Sequence, residues 1–86
     1  MTVADILPKI EREFNHLNII IEDNLLIAEE YYESDGTEKN DDDCCDQAQE
    51  NGDEIVEMFP ELEVVNYYCH RHKYSIVELK IKENTQ

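Results

Sequence analysis

The first candidates for chemistry in this chain are five of its six cysteine and histidine residues, because thiolates and imidazoles are the usual ligands of zinc. No Cys-x-x-Cys pair occurs, and the adjacent Cys44 and Cys45 would point about 100° apart on a helix. On a strand, Cys69 would face away from His70 and His72. We therefore predict that no metal is bound and that the cysteines are core thiols.

Calcium binding and catalysis find no better support in the pattern. Placing Gly36 at the sixth position of an EF-hand loop puts Tyr31 where the first aspartate must stand, and the register around Gly52 puts Gln47 there. The two glycines of the chain cannot build a glycine-rich phosphate loop. A Cys-His pair could supply a nucleophile, but no motif accompanies it. We predict a protein that is not an enzyme and has no cofactor.

The charge is the dominant feature, with 22 acids against 7 bases and a net charge of −15. Residues 22–63 hold 17 of the acids and one base, Lys39, so this segment alone sums to 1 − 17 = −16. Such a density of like charge opposes the compact state. It also excludes direct binding to nucleic acid or to an anionic membrane surface, because phosphates require cationic side chains.

The N-terminal segment has the apolar spacing of an amphipathic helix that reaches about Asn15. Thr2 and Asp5 form a capping-box pattern, and Pro8 leaves open a later start with Asp5 as the cap. The apolar positions are Val3, Ile6, Leu7, Ile10, Phe14 and Leu17.

A β-branched run over 18–22 and turn residues at 22–24 predict a strand that enters a hairpin. Residues 25–33 fit a second strand or a short helix, and both alternatives stay open. The polar stretch 33–43 is interpreted as a solvated loop.

A second helix is expected after a cap at Asp41, Asp42 or Asp43, ending where Phe59 precedes Pro60. Because a mid-helix glycine costs about 1 kcal/mol relative to alanine, Gly52 predicts a close approach to the sheet. The predicted apolar stripe is Cys45, Ala48, Gly52, Ile55 or Val56, and Phe59.

Two strands, 62–70 and 74–82, close the chain around a turn at 71–73. The fold class is therefore α+β, a single domain over 1–86 with order α-β-β-α-β-β and two helices on one face of a mostly antiparallel four-stranded sheet. We expect 74–82 to be an edge strand that could pair with its copy in a homodimer. Successive side chains of a strand point to opposite faces of the sheet. In each of the pairs Tyr31/Tyr32 and Tyr67/Tyr68 we therefore predict one ring in the core and one ring facing solvent.

Carboxylates projecting from a folded surface can imitate the phosphate array of DNA, which has one charge per about 1.7 Å of duplex axis. Exposed tyrosines are suitable apolar anchors for such a contact. The predicted partner is thus a protein with a cationic nucleic-acid-binding groove. The predicted contact residues are Glu22, Asp23, Glu29, Glu30, Tyr31, Tyr32, Glu33, Asp35, Asp41, Asp42, Asp43 and Asp46.

In size, acidity and α/β content the chain resembles the phage-encoded DNA mimics, namely uracil-DNA glycosylase inhibitors and small anti-CRISPR or anti-restriction proteins. The local likeness is an amphipathic first helix leading into Ile19-Ile20-Ile21-Glu22-Asp23-Asn24-Leu25-Leu26-Ile27. The glycosylase inhibitors have a strand, a Glu-Ser-Ile segment that contacts the enzyme, and then an apolar and acidic helix. Glu22 matches the family's glutamate, while Asp23 and Asn24 replace its serine and isoleucine.

The sequence therefore favours a DNA-mimicking inhibitor of a uracil-DNA glycosylase, a CRISPR nuclease or a restriction nuclease. Two alternatives stay open, an acidic adaptor that binds a basic protein without competing with DNA, and a metal-binding domain. Residues 1–5 lack the cationic and apolar regions of a signal peptide, and the odd cysteine count does not predict a disulfide framework. The expected location is a reducing cytoplasm, that of a bacterial host if the protein is phage-encoded.

Overall fold

The computed structural model describes residues 2–31, 41–71 and 74–82, of which 41–43 by their backbone alone. It confirms an α+β fold with two helices and a four-stranded antiparallel sheet. The elements are α1 (Val3–Glu13), β1 (Asn18–Glu22), β2 (Leu25–Tyr31), α2 (Asp41–Met58), β3 (Leu62–His70) and β4 (Tyr74–Ile81).

The first hairpin turns through Asp23 and Asn24, as the sequence predicts. Both residues have positive φ angles, 51° and 66°. Two successive left-handed residues form a type I′ turn, whose twist matches that of the flanking strands, and aspartate and asparagine tolerate this conformation. Residues 25–31 form a strand and not the alternative helix, because they pair with β1 from Glu22↔Leu25 to Asn18↔Glu29.

The sheet order is β1-β2-β4-β3, and all three pairings are antiparallel. The expectation that 74–82 is an edge strand is therefore wrong, since β4 lies inside the sheet between β2 and β3. The alternating pattern of β4 fits both an interior and an edge position, so the sequence could not distinguish them. β1 and β3 are the two edges.

The capping box at the start of α1 is confirmed. Asp5 Oδ2 accepts one hydrogen bond from the Thr2 backbone N–H at 2.8 Å and another from the Thr2 hydroxyl at 3.2 Å. Pro8 lies inside the helix and not at its start, which removes one intrahelical N–H donor. The helix ends at Glu13, two residues before the predicted end. The Phe14 N–H donates the last hydrogen bond, to the Ile10 carbonyl oxygen at 2.8 Å.

Helix α2 packs its apolar side on the sheet at very short range. A Cβ atom on Gly52 would lie 2.9 Å from Val77 Cγ2 and 3.1 Å from Val64 Cγ2. The predicted close approach at Gly52 is therefore confirmed. The predicted stripe needs one correction, because Cys44 is fully buried while Cys45 is only half-buried.

Cys44 and Cys69 form a disulfide that joins the first turns of α2 to the end of β3, with Cα atoms 5.5 Å apart. The expectation of core thiols is wrong for these two residues. Their separation of 25 residues is closed only by the tertiary fold, so the sequence spacing could not show it. Because two of the three cysteines are bonded to each other, the cysteine count no longer supports a reducing compartment.

One cluster of buried side chains unites α1, α2 and the sheet. Ile10 of α1, Ile55 of α2 and Leu79 of β4 are each fully buried in it. The remaining members are Val3, Ile6, Phe14, Leu17, Leu26, Ala28, Phe59, Leu62 and Val77. Neither described helix is long and apolar enough to cross a membrane.

Candidate protein-binding surfaces

The solvent side of α2 is a continuous row of carboxylates, which we call the acid stripe. Its members are Asp46, Glu50, Asp53, Glu54 and Glu57, and all five are exposed. At about 100° per residue they fall within an arc of about 100°. The buried positions Cys44, Ala48 and Ile55 lie on the opposite side of the helix. The packing of α2 therefore directs the stripe away from the sheet.

The linear charge density of the acid stripe is close to that of one DNA strand. Asp46 and Glu57 are 11 residues apart, which corresponds to about 16 Å of helix axis. Five carboxylates over this length give one charge per about 3–4 Å, against about 3.4 Å for each strand of B-DNA. The stripe can thus present a strand-like row of negative charge to a cationic groove.

The acid stripe opposes the stability of its own helix. Glu50 has like-charged neighbours at Asp46, Asp53 and Glu54, which stand three or four residues away. Each such pair destabilises a helix by about 0.2–0.5 kcal/mol. Helix α2 contains no lysine or arginine, and its last turn has no base to interact favourably with the helix dipole. The carboxylates are present despite this unfavourable electrostatic term.

A second exposed surface is the sheet face opposite α2, which we call the open face. Leu26, Ala28, Val77 and Leu79 belong to the core cluster, so alternation places their strand neighbours on the open face. Register then aligns these neighbours across the strands. One row is Ile20–Ile27–Glu78–Asn66, and the next is Asn18–Glu29–Ile76–Tyr68.

The open face is acidic around an aromatic and aliphatic centre. Burial raises the pKa of Tyr68, and the nearby charges of Glu78, Glu22 and Glu29 raise it further. Glu78 belongs to β4, Glu22 to β1 and Glu29 to β2, so negative charges from three strands act on the Tyr68 hydroxyl. Lys80 is the only lysine or arginine in the four described strands, and its Nζ lies 3.4 Å from Glu63 Oε1.

One end of the open face is aromatic. The rings of Tyr31 and Tyr74 meet edge to face with centroids 5.4 Å apart, and His70 lies 6.3 Å from Tyr74. Tyr31 is 57% exposed. The predicted core ring in the pair Tyr67/Tyr68 is absent, since both are exposed, at 42% and 36%. β3 is an edge strand, so even a ring on its helix side reaches solvent.

The structure divides the predicted contact residues between separate surfaces. Glu22, Glu29 and Tyr31 lie on the open face, and Asp23 is exposed in the adjacent hairpin turn. Asp46 lies on the acid stripe. Tyr32, Glu33 and Asp35 are outside the described residues. Asp41, Asp42 and Asp43 form the first turn of α2.

Glu30 has a structural partner on the helix side of the sheet. Its register partner is Ser75, and its Oε1 accepts a hydrogen bond from Asn51 Nδ2 at 2.9 Å. Asn51 is 4% exposed and accepts in turn from Gln47 Nε2 at 3.0 Å. This chain ties β2 to α2 and satisfies a buried amide, which would otherwise cost about 1–3 kcal/mol.

Four members of the acid stripe, Glu50, Asp53, Glu54 and Glu57, were not among the predicted contact residues. The sequence contains the pattern that identifies them, because they stand opposite the apolar positions when α2 is placed on a helical wheel.

Metal binding has little support in the described geometry. No group of three or more histidine, cysteine or acidic side chains converges on one point within residues 2–31, 44–71 and 74–82. Cys44 and Cys69 are bonded to each other, which leaves Cys45 as the half-buried free thiol. Ser75 Oγ donates to the Cys44 carbonyl oxygen at 2.8 Å and secures the bridge from the β4 side.

No protein-family model, curated protein or solved structure matches this chain. The glycosylase-inhibitor resemblance implies a helix after the Glu22-Asp23-Asn24 segment, whereas the structure has strand β2 at this point.

Proposed function

We propose that this protein is a DNA-mimicking inhibitor that occupies the cationic nucleic-acid-binding groove of an enzyme. The observation that supports the proposal most directly is the acid stripe, whose charge spacing of about 3–4 Å is close to that of a DNA strand. The candidate targets are those of the sequence analysis, namely a uracil-DNA glycosylase, a CRISPR nuclease or a restriction nuclease.

The proposal includes the predicted arrangement in which α1 and α2 cover the same face of the sheet. The shared core cluster of Ile10, Ile55 and Leu79 supports it. With both helices on one side, the sheet supports α2 from beneath and fixes the direction of the stripe. A rigid support matters because a preorganised charge array loses little conformational entropy on binding.

Mimicry by charge also accounts for a net charge of −15 in a small chain. Solubility alone is served by net charges of about 2–8 in small domains. Long-range attraction to a cationic groove raises association rates, and salt weakens it. The unfavourable pairs within α2 are then the stability cost of a functional surface.

The test is an inhibition assay with two variants of equal charge. The stripe variant combines Glu50→Gln, Asp53→Asn and Glu54→Gln, and the control combines Glu11→Gln, Glu13→Gln and Glu61→Gln. Each is titrated against a glycosylase, a CRISPR nuclease and a restriction nuclease bound to fluorescent duplex DNA. We expect the wild type to displace DNA from one of them, the control to retain this activity, and the stripe variant to lose about tenfold or more. Equal losses in the two variants would contradict the proposal.

A further inference from the structure

The open face is a separate interaction surface, on the side of the sheet away from the acid stripe. Ile20 is 47% exposed and Tyr68 is 36% exposed in the two central rows. Between them, Ile76 is 6% exposed and lies outside the main core cluster, so it forms the floor of the face. Ile20 and Tyr68 belong to the two edge strands, β1 and β3, so exposed apolar side chains border the open face on both sides of Glu29 and Glu78.

The arrangement of Glu29 and Glu78 specifies a cationic occupant. Glu29 is directly opposite Ile76, and Glu78 is two residues further along β4. Such diagonal neighbours in a sheet stand about 7–8 Å apart at Cα. On β3, the other neighbour of β4, Tyr68 is the register partner of Ile76. Glu78 is therefore a diagonal neighbour of Tyr68 as well as of Glu29. Glu78 on β4 and Glu29 on β2 therefore lie on the same side of Tyr68, one and two strands away from it.

We propose that the open face binds an arginine-bearing segment of a partner protein, with guanidinium groups paired to Glu29 and Glu78. Apolar side chains of the same segment contact Ile20 and the exposed edge of Tyr68. Arginine fits better than lysine because its planar group stacks on an aromatic ring and pairs with a carboxylate in bidentate geometry. Within the four described strands the one lysine or arginine, Lys80, is paired with Glu63 and not with Glu29 or Glu78.

A second copy of the chain does not fit the open face. Two copies in face-to-face contact would bring Glu22, Glu29 and Glu78 of both chains into one interface. Each copy also has a net charge of −15. Like charges at an interface disfavour association by several kcal/mol. The same argument excludes nucleic acid and anionic lipid as occupants.

The inference does not depend on DNA mimicry, because it concerns a different side of the molecule. Its probe is a short synthetic peptide that alternates arginine with leucine, titrated into the full chain by calorimetry. The open-face variant is E29Q/E78Q, and its matched control is E11Q/E13Q, two exposed positions of α1 outside both the open face and the acid stripe. Both remove two charges, so general attraction between opposite charges falls equally in the two.

We expect the open-face variant to bind the peptide about tenfold more weakly than wild type, and the α1 control to stay within about twofold. Replacing arginine by lysine in the peptide should also weaken binding. Backbone amide resonances of β2 and β4 should shift on peptide addition, and well-dispersed spectra of both variants establish that they are folded.

Equal loss of affinity in the two variants would overturn the inference, because it would show diffuse charge attraction without a site. Peptide-induced shifts confined to α2 would overturn it as well. A third contrary result is a dimer in sedimentation that Ile20→Glu dissociates, since it would place a second copy on the open face.

Discussion

Gly52 of α2 and Val77 of β4 are so close that a single added methyl group would not fit between them. The Cβ atom of an alanine at position 52 would stand 2.9 Å from Val77 Cγ2. This contact sets the distance between α2 and the sheet, and hence the position of the acid stripe. Glycine is retained here although it costs about 1 kcal/mol in a helix relative to alanine.

Gly52→Ala should therefore lower the free energy of unfolding by about 1–2 kcal/mol, the gain in helix propensity included. In a Val77→Ala background the nearest clash is gone, so the same substitution should cost much less. Denaturant unfolding of the four proteins in this double-mutant cycle measures the difference. An identical cost of Gly52→Ala in both backgrounds would show that the contact with Val77 does not limit the packing.

Glu50→Gln should stabilise the fold while weakening inhibition. The substitution removes three like-charge pairs, worth about 0.6–1.5 kcal/mol in sum. For a domain of this size, 1 kcal/mol corresponds to about 4–8 °C in melting temperature. Thermal unfolding at low and high salt should show a smaller rise with salt for the variant than for wild type, because salt screens the same repulsion.

Glu11→Gln, on α1, is the control for that measurement, since it lies outside the acid stripe. A melting temperature that does not rise with salt in the wild type would contradict the view that the stripe opposes the fold.

Reduction of the disulfide should destabilise the protein. Closing a loop of 25 residues between Cys44 and Cys69 corresponds to about 3.5 kcal/mol in the chain-entropy model. Denaturant unfolding with and without reductant measures this change, and Cys69→Ser should reproduce it. Cys45→Ser should leave the stability nearly unchanged because that thiol is unpaired. Titration of the denatured, unreduced protein should find one thiol per chain; three thiols and an unchanged unfolding midpoint would refute the disulfide.

The carboxyl of Asp5 should titrate below its ordinary value of 3.8. The Thr2 backbone N–H holds the pKa down most strongly, followed by the Thr2 hydroxyl. A lowered pKa in the folded state means that Asp5 stabilises the fold above the unfolded pKa, and that this contribution disappears as pH falls through the folded pKa. NMR titration of the Asp5 side chain measures the shift directly.

Thr2→Val distinguishes the two causes, because it removes the hydroxyl and keeps the backbone N–H. We expect the pKa of Asp5 to rise only part of the way towards 3.8 in this variant. A return to the full ordinary value would mean that the backbone hydrogen bond is not formed in solution.

Local features of the fold could be predicted from the sequence. The turn at Asp23 and Asn24, the capping box of α1 and the close approach at Gly52 follow from residue types whose conformational preferences act within a few positions. These predictions are confirmed. The correction in α2, where Cys44 and not Cys45 is buried, is a shift of one position in helix phase.

Features that depend on distant pairing could not be predicted. The interior position of β4 and the bond between Cys44 and Cys69 arise when segments far apart in the chain meet. Glu30 illustrates the same point at the candidate site. Its acidic side chain was predicted to contact a partner, and only the register with Ser75 shows that it faces α2 and bonds to Asn51.

The central claim is that this protein occupies a groove that otherwise holds DNA. Its most direct test is capture of partners from a bacterial lysate on immobilised protein, followed by elution with duplex DNA at several salt concentrations. We expect one nucleic-acid enzyme to be retained, to be released by DNA, and to bind more weakly as salt rises. A retained protein that DNA does not release would contradict the claim and favour an acidic adaptor.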